Sequence, residues 1–301
     1  MSKKDSVSKE FFKTPERFAD TCNGILFGGC DIISPLDLSE EDVEYAYINR
    51  SDNKSIVDIA KKWKKNDTII ALIALENQTY TDYGMVLRNM LSESLMYNRQ
   101  LKDKTREHRK NNELMTGSEL LSGITKDDMF TPIITIVVYL GKEKWDGAIE
   151  LLEILDIPDE MKPYVTNHRI NLYDYNKYEG FDNFKTDVSI AFEALSAHND
   201  KNKLRSLFSG KNEVIESDTM KFIGTMLDIE NIDKYIITNE EGVEEGHMCK
   251  AIEDLREEGA IEMAVNIIKN MMTKSNISFD EACEILSIED KEKYRSCITS
   301  Q

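Results

Sequence analysis

The stretch TIIALIALENQ, residues 68–78, decides the fold. Its first eight residues are almost continuously apolar and rich in β-branched side chains, with Asn66-Asp67 ahead of them and Glu76 behind. A run that short and that apolar fits a strand covered on both faces, which belongs at the centre of a sheet. Downstream, residues 83–100 place Leu87, Leu91 and Leu95 four apart, with Tyr83 and Met90, and predict an amphipathic helix. Residues 132–140, PIITIVVYL, read as a second buried strand ending at Gly141, and residues 169–173 offer an edge strand. Upstream, residues 43–48 and 55–60 are short apolar segments that read as strands. Before them, Thr14 ahead of Pro15 and Glu16 announces a first helix. That helix carries Phe18, Cys22 and Leu26 on one stripe and stops at Gly28-Gly29.

The resulting order of helix, three strands, helix and strand predicts an α/β layer with the central strand covered on both sides. Residues 101–131 begin polar and carry no strong pattern, so a partly mobile loop is expected there. From about Gly180 onward nearly everything reads as helix, as in Val188, Phe192 and Leu195, then Ile261, Val265, Ile268 and Met272. No internal repeat or low-complexity stretch is visible.

A chain of 301 residues with 41% hydrophobic content accommodates a domain of about 150 residues and a second, smaller one. No apolar run reaches the roughly 18 residues of a membrane span, and MSKKDSVSKEFFKTPE lacks the apolar core of a leader. The expectation is a cytoplasmic protein with no membrane partner. The five cysteines, Cys22, Cys30, Cys249, Cys283 and Cys297, are odd in number and scattered, with no C-x-x-C pair. They read as reduced thiols, neither a disulfide framework nor a structural zinc site.

A formal net charge of -18 repels a polyanion on average. The positive charge is nevertheless gathered at Lys61, Lys62, Lys64 and Lys65, and again at Arg99, Lys102, Lys104, Arg106, Arg109 and Lys110. Each cluster by itself reads either as a solvated face or as a phosphate-facing patch. Their positions on either side of the acids discussed next favour the patch. The C-terminal half is acidic (Glu240, Glu241, Glu244, Glu245, Glu253, Asp254, Glu257, Glu258). A local field can attract an anion in a protein that is acidic overall.

Glu76 ends the most apolar strand of the chain, and alternation puts Glu76 and Gln78 on one side of it. A carboxylate there is costly unless it is solvated, paired or metal-bound. Asp58, in the apolar context IVDIA, offers a second carboxylate. Two carboxylates on neighbouring strands, helped by a main-chain carbonyl, suit a hard cation with oxygen ligands, Mg²⁺ or Mn²⁺. Such an ion polarises a phosphodiester and supplies hydroxide near neutral pH, and Gln78 would orient the attacking water. Spacing alone leaves the other reading open, in which Asp58 and Glu76 are solvated strand ends or partners of the nearby lysines.

The segments FADTCNGILFGG (18–29), VDIAKKW (57–63), IALENQTYTDYGMVLRNMLSESLMYNRQ (73–100) and PIITIVVYLGKEKWDG (132–147) occur in order. With HMCKAIEDLREEGAIEMA (247–264), the series resembles the recombination-promoting nuclease and putative transposase family of the PD-(D/E)XK superfamily. The resemblance implies a restriction-endonuclease-like α/β core over residues 1–179, a mixed sheet flanked by helices, followed by a mainly α-helical, acidic region over 180–301. It implies a Mg²⁺-dependent DNA endonuclease tied to transposition, recombination or phage defence. The catalytic set falls on Asp58, Glu76 and Gln78, and the metal set on Asp58, Glu76 and Asn77. The superfamily's usual lysine is replaced by Gln78, and a glutamine cannot act as a base. Val57 stands where the family often has an arginine.

Arg88 matches an arginine of the family pattern; it contacts a phosphate, pairs with a catalytic carboxylate, or forms a plain surface ion pair. Lys61, Lys62 and Lys64 are the other expected substrate contacts. Asp20 is an additional acidic candidate, although an ordinary structural role fits it better. Tyr97 and Trp145 read as packing residues. His108, His168, His198 and His247 have no triad-like spacing, and Gly28-Gly29 is too short for a phosphate loop. Two rivals stand beside the enzyme. One is a nuclease-derived module that binds DNA or protein without cutting; the other is a toxin-like nuclease held in check by its own tail.

In that tail Ile252, Leu255, Ile261, Val265, Ile268 and Met272 recur at roughly helical spacing, broken at Gly259. A narrow apolar stripe has to be buried against its own body or a copy of itself, and a homodimer through these helices is the expectation. Ser278 with Glu281 is a capping-box signature, and residues 289–294 suggest another short helix. A helix-turn-helix reading of the pair is disfavoured by its few basic residues.

Overall fold

A computed structural model of the protein describes residues 2–40, 58–65, 68–178, 180–209, 214–275, 277–288, 290–292 and 294–295. The run at 68–78 is the middle strand of a five-stranded sheet. In spatial order the strands are β1 (Leu38–Glu40), β2 (Ile59–Lys65), β3 (Thr68–Gln78), β4 (Ile133–Tyr139) and β5 (Asn171–Asp174). The consecutive residues Ile73, Ala74 and Leu75 are all buried, so both faces of β3 are covered as its composition requires. β1, β2 and β3 pair antiparallel, whereas β3–β4 and β4–β5 are parallel, which makes the sheet mixed. The strand expected at 43–48 and the start of the segment at 55–60 lie outside the described residues.

A parallel step from β3 to β4 needs a crossover, and α3 (Met85–Asn111) with α4 (Gly117–Ser122) supplies it. Helix thus takes up much of the segment 101–131, which was expected to be partly loop. α3 runs on to a left-handed Asn112 whose N–H bonds the His108 carbonyl, and α4 opens on a Thr116/Glu119 capping box. The extension carries charge pairs in place of an apolar stripe: Asp103 binds both Arg99 and Arg106. Such pairs support an exposed helix without any hydrophobic period to betray it.

Two helices precede the sheet. α2 (Pro15–Phe27) starts at the Thr14 cap and ends at left-handed Gly28, as expected. Ahead of it lies α1 (Lys3–Lys13), which the periodicity did not reveal; Ser2 and Asp5 form its capping box, and Ser8, Phe11 and Phe12 are buried. Phe11 stacks on Phe222 at 4.2 Å between ring centroids.

The chain divides into two compact units, residues 1–200 with 218–230, and residues 201–217 with 231–301. The first holds the five-stranded sheet, α1 to α4, α5 (Val188–Ser196) and most of a helix at Ser217–Met226. Helices prevail toward the C-terminus, as expected from about Gly180 onward, but the second unit also holds short strands. Beside α6 (Lys201–Leu207) it contains β6 (Ile215–Glu216), β7 (Ile236–Thr238) and β8 (Glu244–Gly246), an antiparallel sheet in the order β6-β8-β7. Strands of two or three residues are too short to show a period. The helix at Ser217–Met226 is α7, followed by α8 (Met248–Lys274) and α9 (Phe279–Ile285). Ile268 of α8 packs with Ala282 and Cys283 of α9, which opens on the expected Ser278/Glu281 capping box. Of the short helix expected at 289–294, residues 291, 292 and 294 are helical; Glu289 and Lys293, like Cys297, fall outside the described residues. No described helix is long and apolar enough to cross a membrane.

Candidate active site

β3 stays apolar to Leu75 and then presents Glu76, Asn77 and Gln78 while still in the sheet, all three buried. Glu76 and Gln78 share a face, and the Gln78 side-chain amide donates to Oε1 of Glu76 at 3.1 Å. Arg88, in the first turns of α3, donates from Nη2 to the same oxygen at 2.6 Å and from Nη1 to Asp82. Asp82 also accepts the Gly84 N–H at 2.8 Å, which fixes it at the head of α3. The other oxygen of Glu76, Oε2, is buried and accepts no hydrogen bond from the described residues. Burial pushes the Glu76 carboxyl up to about 7 against the pull of Arg88 and Lys9, and the charges of Asp58 and Asp82 push the same way as burial.

Asp58 comes immediately before β2. Its N–H donates to the Leu75 carbonyl at 3.2 Å, and its Oδ2 accepts the Asn77 N–H at 2.8 Å. The two expected carboxylates therefore meet at one end of the β2–β3 pair, with the main chain of Asn77 between them. The remaining Asp58 oxygen lies 2.9 Å from Nζ of Lys9. Lys9 went unnoticed in the sequence because it is 49 residues from Asp58, on a helix with no strong apolar stripe; only the S-x-x-D start at Ser2 could have revealed that helix.

Other expected residues go elsewhere. Asp20, on α2, accepts the N–H groups of Lys185 and Thr186 and the Thr186 hydroxyl, and so anchors the approach to α5. Its oxygens serve that turn, the ordinary structural role, and not the group around Glu76. Lys61 is 1% exposed, its ammonium 2.5 Å from Glu40 and 5.6 Å from the centre of the Phe18 ring. A buried, paired ammonium offers nothing to a phosphate, so Lys61 is also removed from the substrate contacts. Lys62 and Lys64 are half-buried along β2. Much of the α3 cluster is neutralised by its own acids, Lys104 by Asp128 as well as the two arginines by Asp103. Trp145 is buried edge-on against Tyr139, and the Tyr97 hydroxyl accepts the Ile133 N–H at the start of β4. His108 bridges Glu113 and Asp128, whose hydrogen bonds to the ring, and then their charges, raise its pKa.

A mixed sheet flanked by helices, with carboxylates gathered at the end of its central strand, is consistent with a PD-(D/E)XK placement. Residues 2–220 match the family described as "putative transposase, YhgA-like", and the chain belongs to that family. No curated protein and no solved structure matches the chain.

Proposed function

We propose that this protein is a metal-dependent endonuclease that hydrolyses phosphodiester bonds in DNA, in keeping with its transposase family. The observation that carries the reading is Oε2 of Glu76, a buried carboxylate oxygen without a partner among the described residues, beside a second carboxylate, Asp58. A buried acceptor left open is destabilising, and a cation bound there would satisfy it. The nearby donors are oxygens, from Asp58, Glu76 and the Asn77 carbonyl, a set suited to Mg²⁺ or Mn²⁺ with several waters retained. Once bound, such an ion polarises the phosphodiester and makes a water more acidic.

The chain's own residues do the rest. Asp58 and Glu76 hold the cation, and Arg88 balances the charge of Glu76 and fixes its rotamer. Gln78, tethered through its amide nitrogen, directs its carbonyl toward a water but takes no proton. Lys62 and Lys64 supply charge for the DNA backbone. Plasmid nicking in Mg²⁺, in EDTA and with Glu76→Ala tests the reading. Cleavage by the parent in Mg²⁺ alone is expected, and an alanine variant that cuts as well as the parent overturns the assignment.

One observation favours a non-cutting relative instead. Both carboxylates already have cationic side-chain partners, and no group of three or more His, Cys, Asp or Glu suited to a metal occurs among the described residues. Calorimetry with Mn²⁺ separates the two, since a chain without metal affinity leaves only a DNA- or protein-binding module.

A further inference from the structure

We infer that Lys9 is a further catalytic residue of this site, a cation held on Asp58 until a divalent ion takes that carboxylate and then used on the scissile phosphate. The inference rests on the metal-dependent reading above and adds a residue that reading lacks. Gln78, whose amide reaches the Glu76 carboxylate at 3.1 Å, carries no charge. Arg88 is divided between Glu76 and Asp82. Lys9 has Asp58 as its ion-pair partner, at 2.9 Å, and its field reaches Glu76 as well.

The helix that carries Lys9 is fixed. Its Ser2/Asp5 capping box closes the first turn, Ser8 bonds back to the Asp5 carbonyl, and Phe11 and Phe12 are buried against Phe222. α1 also lies against β2 and β3, the two strands that bring the acids together. The Lys9 side chain nevertheless keeps 22% of its surface open, so it is not sealed into the core. An ammonium has three donors, and Asp58 occupies one side of it.

A divalent ion and an ammonium compete for the same carboxylate oxygens. Metal binding leaves the ammonium beside the place where the phosphate must come. In hydrolysis a water oxygen bonds to phosphorus while one phosphorus–oxygen ester bond breaks. The water loses a proton to solvent, and the departing oxygen gains one. Between those events the extra negative charge rests on the non-bridging oxygens, where a preorganised cationic donor acts most strongly.

This assigns Lys9 two effects of opposite sign, which a merely structural lysine would not have. In Lys9→Met, Mn²⁺ should bind roughly two- to fivefold more tightly by calorimetry, because a competitor for Asp58 is gone. DNA nicking at saturating Mn²⁺ should fall roughly 100-fold. Lys9→Arg, which keeps the charge, should bind Mn²⁺ like the parent and recover part of the nicking. Thermal midpoints show that each variant is folded. If Lys9→Met nicks as fast as the parent, or loses Mn²⁺ binding along with nicking, the inference is wrong while the metal-dependent reading stands. A parent that neither binds Mn²⁺ nor nicks DNA overturns both.

Discussion

Arg88 and Glu76 form a one-sided pair: Nη2 lies 2.6 Å from Oε1, while Oε2 of the same carboxylate is buried without a partner among the described residues. A single guanidinium thus keeps an ionised carboxylate in the sheet, and the carboxylate is only half satisfied. Substituting Arg88 by Met should destabilise the metal-free protein by about 1–2 kcal/mol at pH 8, the partial exposure of Arg88 reducing the full cost of breaking a buried pair. At pH 5, where Glu76 is protonated, the loss should shrink. Urea unfolding at the two pH values measures both.

The Glu76 carboxyl itself gives the metal-free protein an unusual pH dependence. Its folded-state pKa is pushed up to about 7 from an ordinary 4.5. Between those values the folded protein holds a proton that the unfolded chain has released, so stability falls as pH rises through that window. Glu76→Gln removes the effect. In EDTA the variant should exceed the parent at pH 8 by on the order of 2–3 kcal/mol, with the difference vanishing below pH 4.5. Parallel urea curves across the range would expose a wrong sign.

Asp20→Ala tests the structural assignment of that acid. Two main-chain N–H groups, of Lys185 and Thr186, lose their acceptor, which costs about 2–3 kcal/mol. Mn²⁺ affinity, measured by calorimetry below the melting transition, should stay at the parent value. A weakened metal site would return Asp20 to the active centre.

The two glycines that end α2 should respond differently to alanine. Gly28 has a φ of 59° and open space around a new Cβ, so strain alone applies, about 1 kcal/mol. Gly29, at φ 85°, would also set its Cβ 2.9 Å from the Asn183 carbonyl oxygen. Melting temperatures should therefore rank the parent first, Gly28→Ala second and Gly29→Ala last.

Self-association through α8 is proposed on what that helix leaves uncovered. Ile252, Val265 and Ile268 are buried, but Met263 and Ile267, four apart, are exposed. Light scattering should give twice the chain mass for the parent and a single mass for the double variant Met263→Glu, Ile267→Glu. A parent of single mass sinks the homodimer.

Much of this architecture was legible because it rests on local or strongly apolar signals. The 68–78 run announces a strand covered on both faces, Thr14-Pro15 announces a helix start, and Ser278/Glu281 announces another. The acids were legible because Glu76 interrupts that apolar run where burial is costly. The rest was hidden for identifiable reasons. The end of α3 is stabilised by ion pairs among exposed residues, and β6 to β8 are too short for alternation to register. Lys9 and Asp58 meet only through tertiary folding, and so do Lys61 and its neighbours Phe18 and Glu40.

The packing of α1 also sets an order of events during synthesis. Its Phe11 stacks on Phe222, and Lys4 pairs with Asp228, more than two hundred residues later. Arg17, just beyond α1, is clamped by Asp187 and bonds Thr219. A nascent chain that has emerged only as far as β5 holds Asp58, Glu76 and the strands under α1 but lacks the Phe222 and Asp228 side of that helix's seat. The contacts of the helix are complete only once the residues around 230 have left the ribosome. Until then a growing polypeptide carries Asp58 and Glu76 while the helix bearing Lys9 is only partly seated.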